Sequence, residues 1–341
     1  MKRPRRPTIP ISRRSRRLPK ILITGAGGFI GSHLAERCVE LGWAVRALVR
    51  YNSRNHWGFL DRSPLTKEME VLTGDIRDFD SVHRALEGCQ AVFHLAALIG
   101  IPYSYSSPLA YLQTNGIGAY NILQSARMRG LESVVITSTS ETYGTAQYVP
   151  IDENHPPNAQ SPYAASKIAA DQLALSYFRS FGLPVKIARP FNTYGPRQSA
   201  RAIIPTIISQ ILAGRRVLQL GNLTPTRDLS FVKDTAEGII EIYKSPELIG
   251  EVVNIGQDQE IAMGDLCHLI ASLLGVTVEI HSEAQRLRPE GSEVERLRCN
   301  PAKIKGRTAW RPRYTLKQGL QETIAFLQDH RDDYKPDLYN L

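Results

Sequence analysis

Ile21-Leu22-Ile23-Thr24-Gly25-Ala26-Gly27-Gly28-Phe29-Ile30-Gly31 runs from an apolar strand through a glycine turn into the start of a helix. Gly25, Gly28 and Gly31 set a G-x-x-G-x-x-G spacing. Gly25 suits a tight turn, and Gly28 lets backbone approach a pyrophosphate. Gly31 lets the helix pack close to the strand. Phe29 and Ile30 open the helix, where free N–H groups and the helix dipole favour an anion. A glycine pattern alone carries little weight. Placed between the first apolar strand and an amphipathic helix, it reads as a dinucleotide site.

Downstream, short β-rich runs alternate with longer helical patterns. Strands are expected over 20–24, 44–49, 70–73, 91–95, 132–138 and 184–189, and helices over 28–41, 80–87, 108–129 and 162–181. Such alternation predicts βαβ units and an α/β fold: a Rossmann-type, doubly wound parallel sheet covered on both faces. Ser161 as N-cap, Pro162 in the first turn and Gly182 past the end punctuate the helix over 162–181. After Arg189, Gly, Pro and Arg become frequent and elements shorten. The division expected is a basic arm (1–19), a dinucleotide-binding domain (20–190) and a smaller C-terminal substrate-binding α/β domain (191–341), with 229–245 packing back on the first.

Topology places further cofactor contacts. Asp75-Ile76 follows the third strand and can hold an adenine, and Leu95-Ala96-Ala97 leaves room at the end of the fourth. The second strand ends Val49-Arg50-Tyr51-Asn52-Ser53-Arg54, without the carboxylate that would bind a ribose 2′-hydroxyl. Arg50 and Arg54 lean the choice towards NADP, with NAD the alternative.

The fifth strand is followed by Thr139-Ser140-Glu141, and 22 residues past Glu141 comes Tyr163-Ala164-Ala165-Ser166-Lys167. A tyrosine and a lysine four apart share one helix face. A free phenol has a pKa near ~10, too high for an efficient base at neutral pH. A neighbouring ammonium favours the phenolate. Tyr163 then serves as acid/base on an alcohol, with Thr139 sharing the proton and Lys167 also holding the nicotinamide ribose. Glu141 adds a second proton handler that plain alcohol oxidation does not need. It points to elimination beside a newly formed ketone.

These motifs, with Arg189-Pro190-Phe191-Asn192-Thr193-Tyr194-Gly195-Pro196, resemble the extended short-chain dehydrogenases/reductases over residues 20 to about 330. Within them the chain is similar to the nucleotide-sugar epimerase/dehydratase branch. Its Thr-Ser-Glu triplet is like that of GDP-mannose 4,6-dehydratases, whereas dTDP-glucose 4,6-dehydratases have Thr-Asp-Glu. With Ser140 in that place, either Glu141 serves both C5 and C6 or a water relays through Ser140. The stretches Arg197-Gln198-Ser199-Ala200-Arg201 and Pro225-Thr226-Arg227-Asp228-Leu229 resemble dehydratases of the legionaminic acid pathway type.

The resemblance implies a 4,6-dehydratase acting on UDP- or GDP-N-acetylglucosamine, with tightly bound, recycled NAD or NADP. UDP-glucuronate decarboxylase and nucleotide-sugar 4-epimerase are the alternatives. It places Asn192, Arg227 and Arg288 on the substrate diphosphate, with Arg197 or Arg201 helping to close the site. It also implies a homodimer through the helices at 108–129 and 162–181. His94, at a strand end, reads as a core residue rather than a catalyst.

Bulk properties agree with an ordinary globular enzyme. The net charge of +9 arises from nine Lys/Arg and no acid in residues 1–20, leaving 33 basic against 33 acidic residues beyond them. The arm reads as a solvated extension, with a tether to an anionic surface as the alternative. No apolar run is long enough to span a membrane. Cys38, Cys89, Cys267 and Cys299 lack paired spacing, so neither a metal nor a disulfide framework is expected, and a reducing cytoplasm fits.

Overall fold

The structure is a computed structural model describing residues 18–338, so the basic arm up to residue 17 lies outside the described residues. The chain opens β1 (Lys20–Thr24), α1 (Phe29–Glu40), β2 (Ala44–Arg50), β3 (Met69–Gly74), α2 (Phe79–Ala85) and β4 (Ala91–His94). Next come α3 (Ile101–Ser106), α4 (Pro108–Tyr111), α5 (Gly118–Arg129), β5 (Ser133–Thr137), α6 (Pro162–Phe181) and β6 (Val185–Pro190). The remainder includes β7 (Asn192–Tyr194), α7 (Ile203–Leu212), β8 (Val217–Leu220), β9 (Thr226–Arg227), β10 (Leu229–Phe231), α8 (Val232–Lys244) and β11 (Val252–Ile255).

Seven strands form one sheet in the order β11-β6-β5-β4-β1-β2-β3, and every pairing in it is parallel. The order reverses between β1 and β4, which opens a crevice at the carboxyl ends of the strands. Alternation along β1 fills both faces. Ile21 and Ile23 join the apolar layer of α1 and α8, with Leu34, Cys38, Ile239 and Ile240. Leu22 joins the opposite layer, with Val82, Ile122, Leu123, Ala174 and Leu175 from α2, α5 and α6. A third apolar cluster unites α7 with Leu266, Ile270, Leu320 and Ile324 from two later helices.

Local chemistry sets the boundaries of α6 where the sequence places them. Ser161 Oγ accepts from the Ala164 N–H at 3.1 Å, and Gly182 closes the helix at φ +68°. The helix expected over 108–129 is instead divided. A π-helical stretch, Leu112–Ile117, separates α4 from α5. In this wider turn Asn115 donates to Ser166 Oγ of α6 at 2.9 Å and to the Leu98 carbonyl at 2.9 Å. The return to the sheet also extends past the expected 229–245. After α8, β11 adds beside β6, pairing Val252 with Ile187 and Asn254 with Arg189. A four-residue parallel strand buried in a sheet shows no alternation to mark it. Among the described residues, no helix is long and apolar enough to cross a membrane, and no cluster of His, Cys, Asp or Glu can hold a metal ion.

Candidate active site

The glycine turn lies at the reversal of strand order and fits a dinucleotide pyrophosphate. Gly25 holds φ +72°, and a Cβ there would stand 2.8 Å from the Ala96 nitrogen. A Cβ on Gly31 would collide with the Gly25 carbonyl oxygen. Backbone therefore packs on backbone, and the α1 N-terminus keeps its N–H groups open. Gly28 offers no side-chain cap, and the first turn, with Phe29 and Ile30, has no acid. Thr24 Oγ1 ties this turn to the neighbouring strand, accepting from the Leu95 and Ala96 N–H groups at 3.2 and 3.1 Å. It also meets His94 Nδ1 at 2.8 Å. Burial lowers the His94 pKa to about 3, and the Lys167 charge adds to the effect, so the ring is a neutral core element. Ala97 continues this edge just past β4.

Arg50 ends β2 opposite Gly74, one residue before Asp75. The Asp75 carboxylate is held by Arg77, whose Nε donates at 3.0 Å, and this bond lowers the carboxyl pKa. Ile76 is buried, and its carbonyl accepts from Asn121 Nδ2 at 2.9 Å. Arg54 lies exposed in the loop after β2, where its N–H donates to Asn52 Oδ1 at 3.1 Å.

The catalytic candidates converge where β5 meets α6. Tyr163 is buried, with Tyr111 edge-on at 6.1 Å between ring centroids. Burial pushes its phenol well above the ordinary value. A hydrogen bond from Thr139 opposes that shift, and the nearby Glu141 charge adds to it. Lys167 is buried one turn on, and its Nζ donates to the Thr137 carbonyl at 2.6 Å. Burial lowers its pKa and Asp171 raises it. Ser140 and Glu141 begin a short 3₁₀ turn capped by Thr139 Oγ1, which accepts from the Glu141 N–H at 3.3 Å. Both residues are buried.

Beyond Glu141 two arginines enter the site. Arg288 Nη1 lies 3.8 Å from Glu141 Oε2. Arg227 is buried, which lowers its pKa, while Glu141 and Glu293 support its charge. Asn192 Oδ1 is buried without a hydrogen-bond partner among the described residues. Arg201 reaches Gly100 and bears electrostatically on Tyr111, which flanks Tyr163. Arg197 is placed differently from the sequence expectation. At φ +71°, its guanidinium forks onto Glu36 of α1 at 2.9 and 3.0 Å and onto Ser32 at 3.1 Å. A side chain so committed is a strut between the loop after β7 and the dinucleotide helix, not a lid over substrate.

Three polar residues escaped sequence reasoning: Asn115, Asp171 and Glu293. Asp171 continues the Tyr163/Lys167 face by one turn, which was a readable signal. Its partners are Arg189 of β6 and Ser138, the residue just past β5.

A parallel sheet with a glycine turn at its reversal point, and a Tyr/Lys pair facing a Thr-Ser-Glu turn, defines an extended short-chain dehydrogenase/reductase. The family described as GDP-mannose 4,6 dehydratase matches residues 22–323, and the chain belongs to this family of nucleotide-sugar dehydratases and epimerases. It is 30% identical to a dTDP-glucose 4,6-dehydratase of Streptomyces antibioticus, over 93% of this chain and 94% of the relative. It is 31% identical to a UDP-N-acetyl-alpha-D-glucosaminuronate decarboxylase of Bacillus cytotoxicus, over 92% and 99%. A relative from Mycolicibacterium smegmatis, 30% identical over 91% of this chain and 99% of its own length, carries the name UDP-glucose 4-epimerase. The crystal structure of DesIV, a dTDP-glucose 4,6-dehydratase of Streptomyces venezuelae with NAD and TYD bound, superposes with TM-score 0.84 at 29% identity, covering 93% of this chain and 99% of that one.

Proposed function

We infer that this protein is a nucleotide-sugar 4,6-dehydratase that converts an NDP-hexose, UDP- or GDP-N-acetylglucosamine by preference, to the 4-keto-6-deoxy sugar. The observation that carries the reading is Glu141, a buried carboxyl group set one short turn from the Thr139–Tyr163 pair. Simple oxidation at C4 has no task for it.

Gly25, Gly28 and Gly31 with the α1 N-terminus would hold the pyrophosphate of NAD or NADP. Asp75, Ile76, Arg50, Arg54 and Leu95 to Ala97 would line the adenosine half. Lys167 and Tyr163 would flank the nicotinamide ribose. When bound, the nicotinamide supplies hydride acceptance from C4 and hydride return at C6.

Tyr163 takes the O4 proton, with Thr139 sharing it. Lys167 lies one helical turn from Tyr163, and an ammonium at that position would favour the phenolate that this step requires. Once C4 is a ketone, the C5 proton is acidic. Glu141 removes it and, now protonated, gives a proton to the departing 6-hydroxyl, which leaves as water. As C6 is reduced, C5 takes up a proton from solvent, and Tyr163 gives the O4 proton back to solvent. Donor and acceptor positions fixed in advance lower the barrier without reorganisation. Asn192, Arg227 and Arg288 would hold the diphosphate, for which guanidinium forks are suited.

A second reading has one observation in its favour. An arginine at 3.8 Å from Glu141 can pair with a sugar 6-carboxylate, as a UDP-glucuronate decarboxylase requires. A 4-epimerase is supported least, because such enzymes usually carry a small or hydroxyl residue where Glu141 stands. Incubation with a panel of nucleotide sugars separates all three by product mass: loss of water, loss of carbon dioxide, or no change.

The proposed assembly is a homodimer through α4, α5 and α6. Leu109, Leu112, Ile117, Tyr120, Met128 and Phe181 are exposed on or between these helices. Exposed apolar side chains in this number on neighbouring helices suit an interface between copies.

A further inference from the structure

We propose that Glu293 is a built-in counter-anion of the diphosphate pocket, displaced by the substrate diphosphate when it binds. This rests on the reading of Arg227 and Arg288 as the diphosphate site. Glu293 follows a short turn, Glu290–Ser292, and its main chain is fixed. Its carbonyl accepts from Gln160 Nε2 at 3.1 Å and from Thr145 Oγ1 at 3.5 Å. The side chain therefore projects from a set position. Its Oε1 lies 3.5 Å from Arg227 Nη2 and 3.7 Å from Arg288 Nη1. One carboxylate oxygen thus serves two guanidinium groups, and Arg288 Nη1 is shared in turn with Glu141.

Charges alternate along this chain: Arg227, Glu293, Arg288, Glu141. The pocket is balanced in charge but poorly satisfied in hydrogen bonds. Charge-assisted bonds between a guanidinium and an oxyanion are normally about 2.7–2.9 Å long, and each ionic contact to Arg288 is longer than 3.5 Å. Arg288 Nη1 is buried with no hydrogen-bond partner among the described residues. A guanidinium in that state gains from an anion that offers several oxygens in forked geometry.

A diphosphate supplies them, but it cannot share Arg227 and Arg288 with a fixed carboxylate at ion-pair range without like-charge repulsion. Glu293 must turn away. As it does, Arg288 moves towards phosphate and off Glu141, which frees the catalytic carboxyl group for the sugar. Binding energy from the remote diphosphate is thereby converted into assembly of the reacting centre. Glu293 is a positioning residue in this scheme. It sets how tightly the nucleotide is held and when Glu141 is released.

Titration calorimetry of the cofactor-loaded protein with UDP, GDP and dTDP tests this. Glu293→Gln should bind the nucleoside diphosphate that the wild type accepts about tenfold more tightly, since the repulsion is removed and the arginines remain. Glu293→Asp, which keeps the charge, should stay within about twofold of wild type. A purely structural role for Glu293 would weaken binding in both variants, and unchanged or weaker binding by Glu293→Gln would overturn the proposal. Arg227→Ala separates the two levels of the argument. If it leaves binding unchanged, or if no nucleoside diphosphate binds the wild type, the diphosphate reading itself fails. If it weakens binding while Glu293→Gln does not tighten it, only the role of Glu293 falls.

Discussion

Asp171 and Arg189 form a buried ion pair directly behind the catalytic helix face, with Arg189 Nη2 donating to Asp171 Oδ2 at 2.7 Å. The same carboxylate oxygen accepts from Ser138 Oγ at 2.6 Å, while Lys167 holds the carbonyl of the preceding residue, Thr137. Two residues one turn apart on α6 thus grip consecutive residues at the end of β5. Thr139, Ser140 and Glu141 follow at once. The distance between the Tyr163 face and the Glu141 turn is set here. The Arg189 guanidinium also lies 4.6 Å from the centre of the Tyr143 ring, in the same turn as Glu141.

Removing one partner of this pair strands a buried charge. Arg189→Met should cost about 3–5 kcal/mol in urea unfolding. Adding Asp171→Asn to it should recover much of that loss, because the uncompensated carboxylate is gone. A double variant no more stable than Arg189→Met would show that the two residues are not coupled.

Acid sensitivity should be traceable to two histidines. Burial lowers His94 to about 3 and His33 to about 4, from an ordinary 6.5. The unfolded chain binds these protons and the folded one does not, so stability is full above pH 6.5 and falls with acidification through the folded values. Each group contributes a slope of about 1.4 kcal/mol per pH unit in that window. His94→Gln should flatten the decline between pH 6 and 4 in thermal or urea melts. An unchanged slope would remove His94 from this role.

Arg197 and Arg227 should separate cleanly. Arg197→Ala breaks the fork onto Glu36, so it should destabilise the fold by about 1–3 kcal/mol while nucleoside diphosphate affinity stays within twofold. Arg227→Ala should weaken that affinity by at least about tenfold. Equal losses of affinity in both variants, by calorimetry, would return Arg197 to the substrate side.

Leu112→Glu places a charge on the apolar face of the α4–α5 segment, where Leu112 is 51% exposed. Sedimentation at micromolar concentration should change from dimer to monomer. A wild-type monomer would dispose of the proposed interface.

Much of this architecture was legible because its signals are local. The first strand, glycine turn and helix follow from eleven consecutive residues, and Ser161, Pro162 and Gly182 mark both ends of α6 within the sequence itself. Tyr163 and Lys167 are one turn apart, so helical spacing alone places them together. What escaped depends on residues far apart in the chain. Arg197 is held by Glu36, 161 positions away, and no spacing rule links them. Asp171 shares the Tyr163/Lys167 face, but its burial and pairing depend on Arg189 and Ser138, which lie elsewhere in the chain. Glu293 lies in a loop of mixed charge, where its neighbours, Glu290 and Glu295, are as plausible on the page. β11 carries only four residues, Val252 to Ile255, and becomes a sheet strand through its pairing with β6.

The central claim is that Glu141 removes the C5 proton and then expels water. Turnover of UDP- or GDP-N-acetylglucosamine in deuterium oxide, read by mass and proton NMR, tests it most directly. The wild type should give a 4-keto-6-deoxy product that has lost water and gained one solvent deuteron at C5. Glu141→Gln should retain its dinucleotide and form no such product. Normal dehydration by Glu141→Gln, or a wild-type product of unchanged mass or lacking carbon dioxide, would contradict the account.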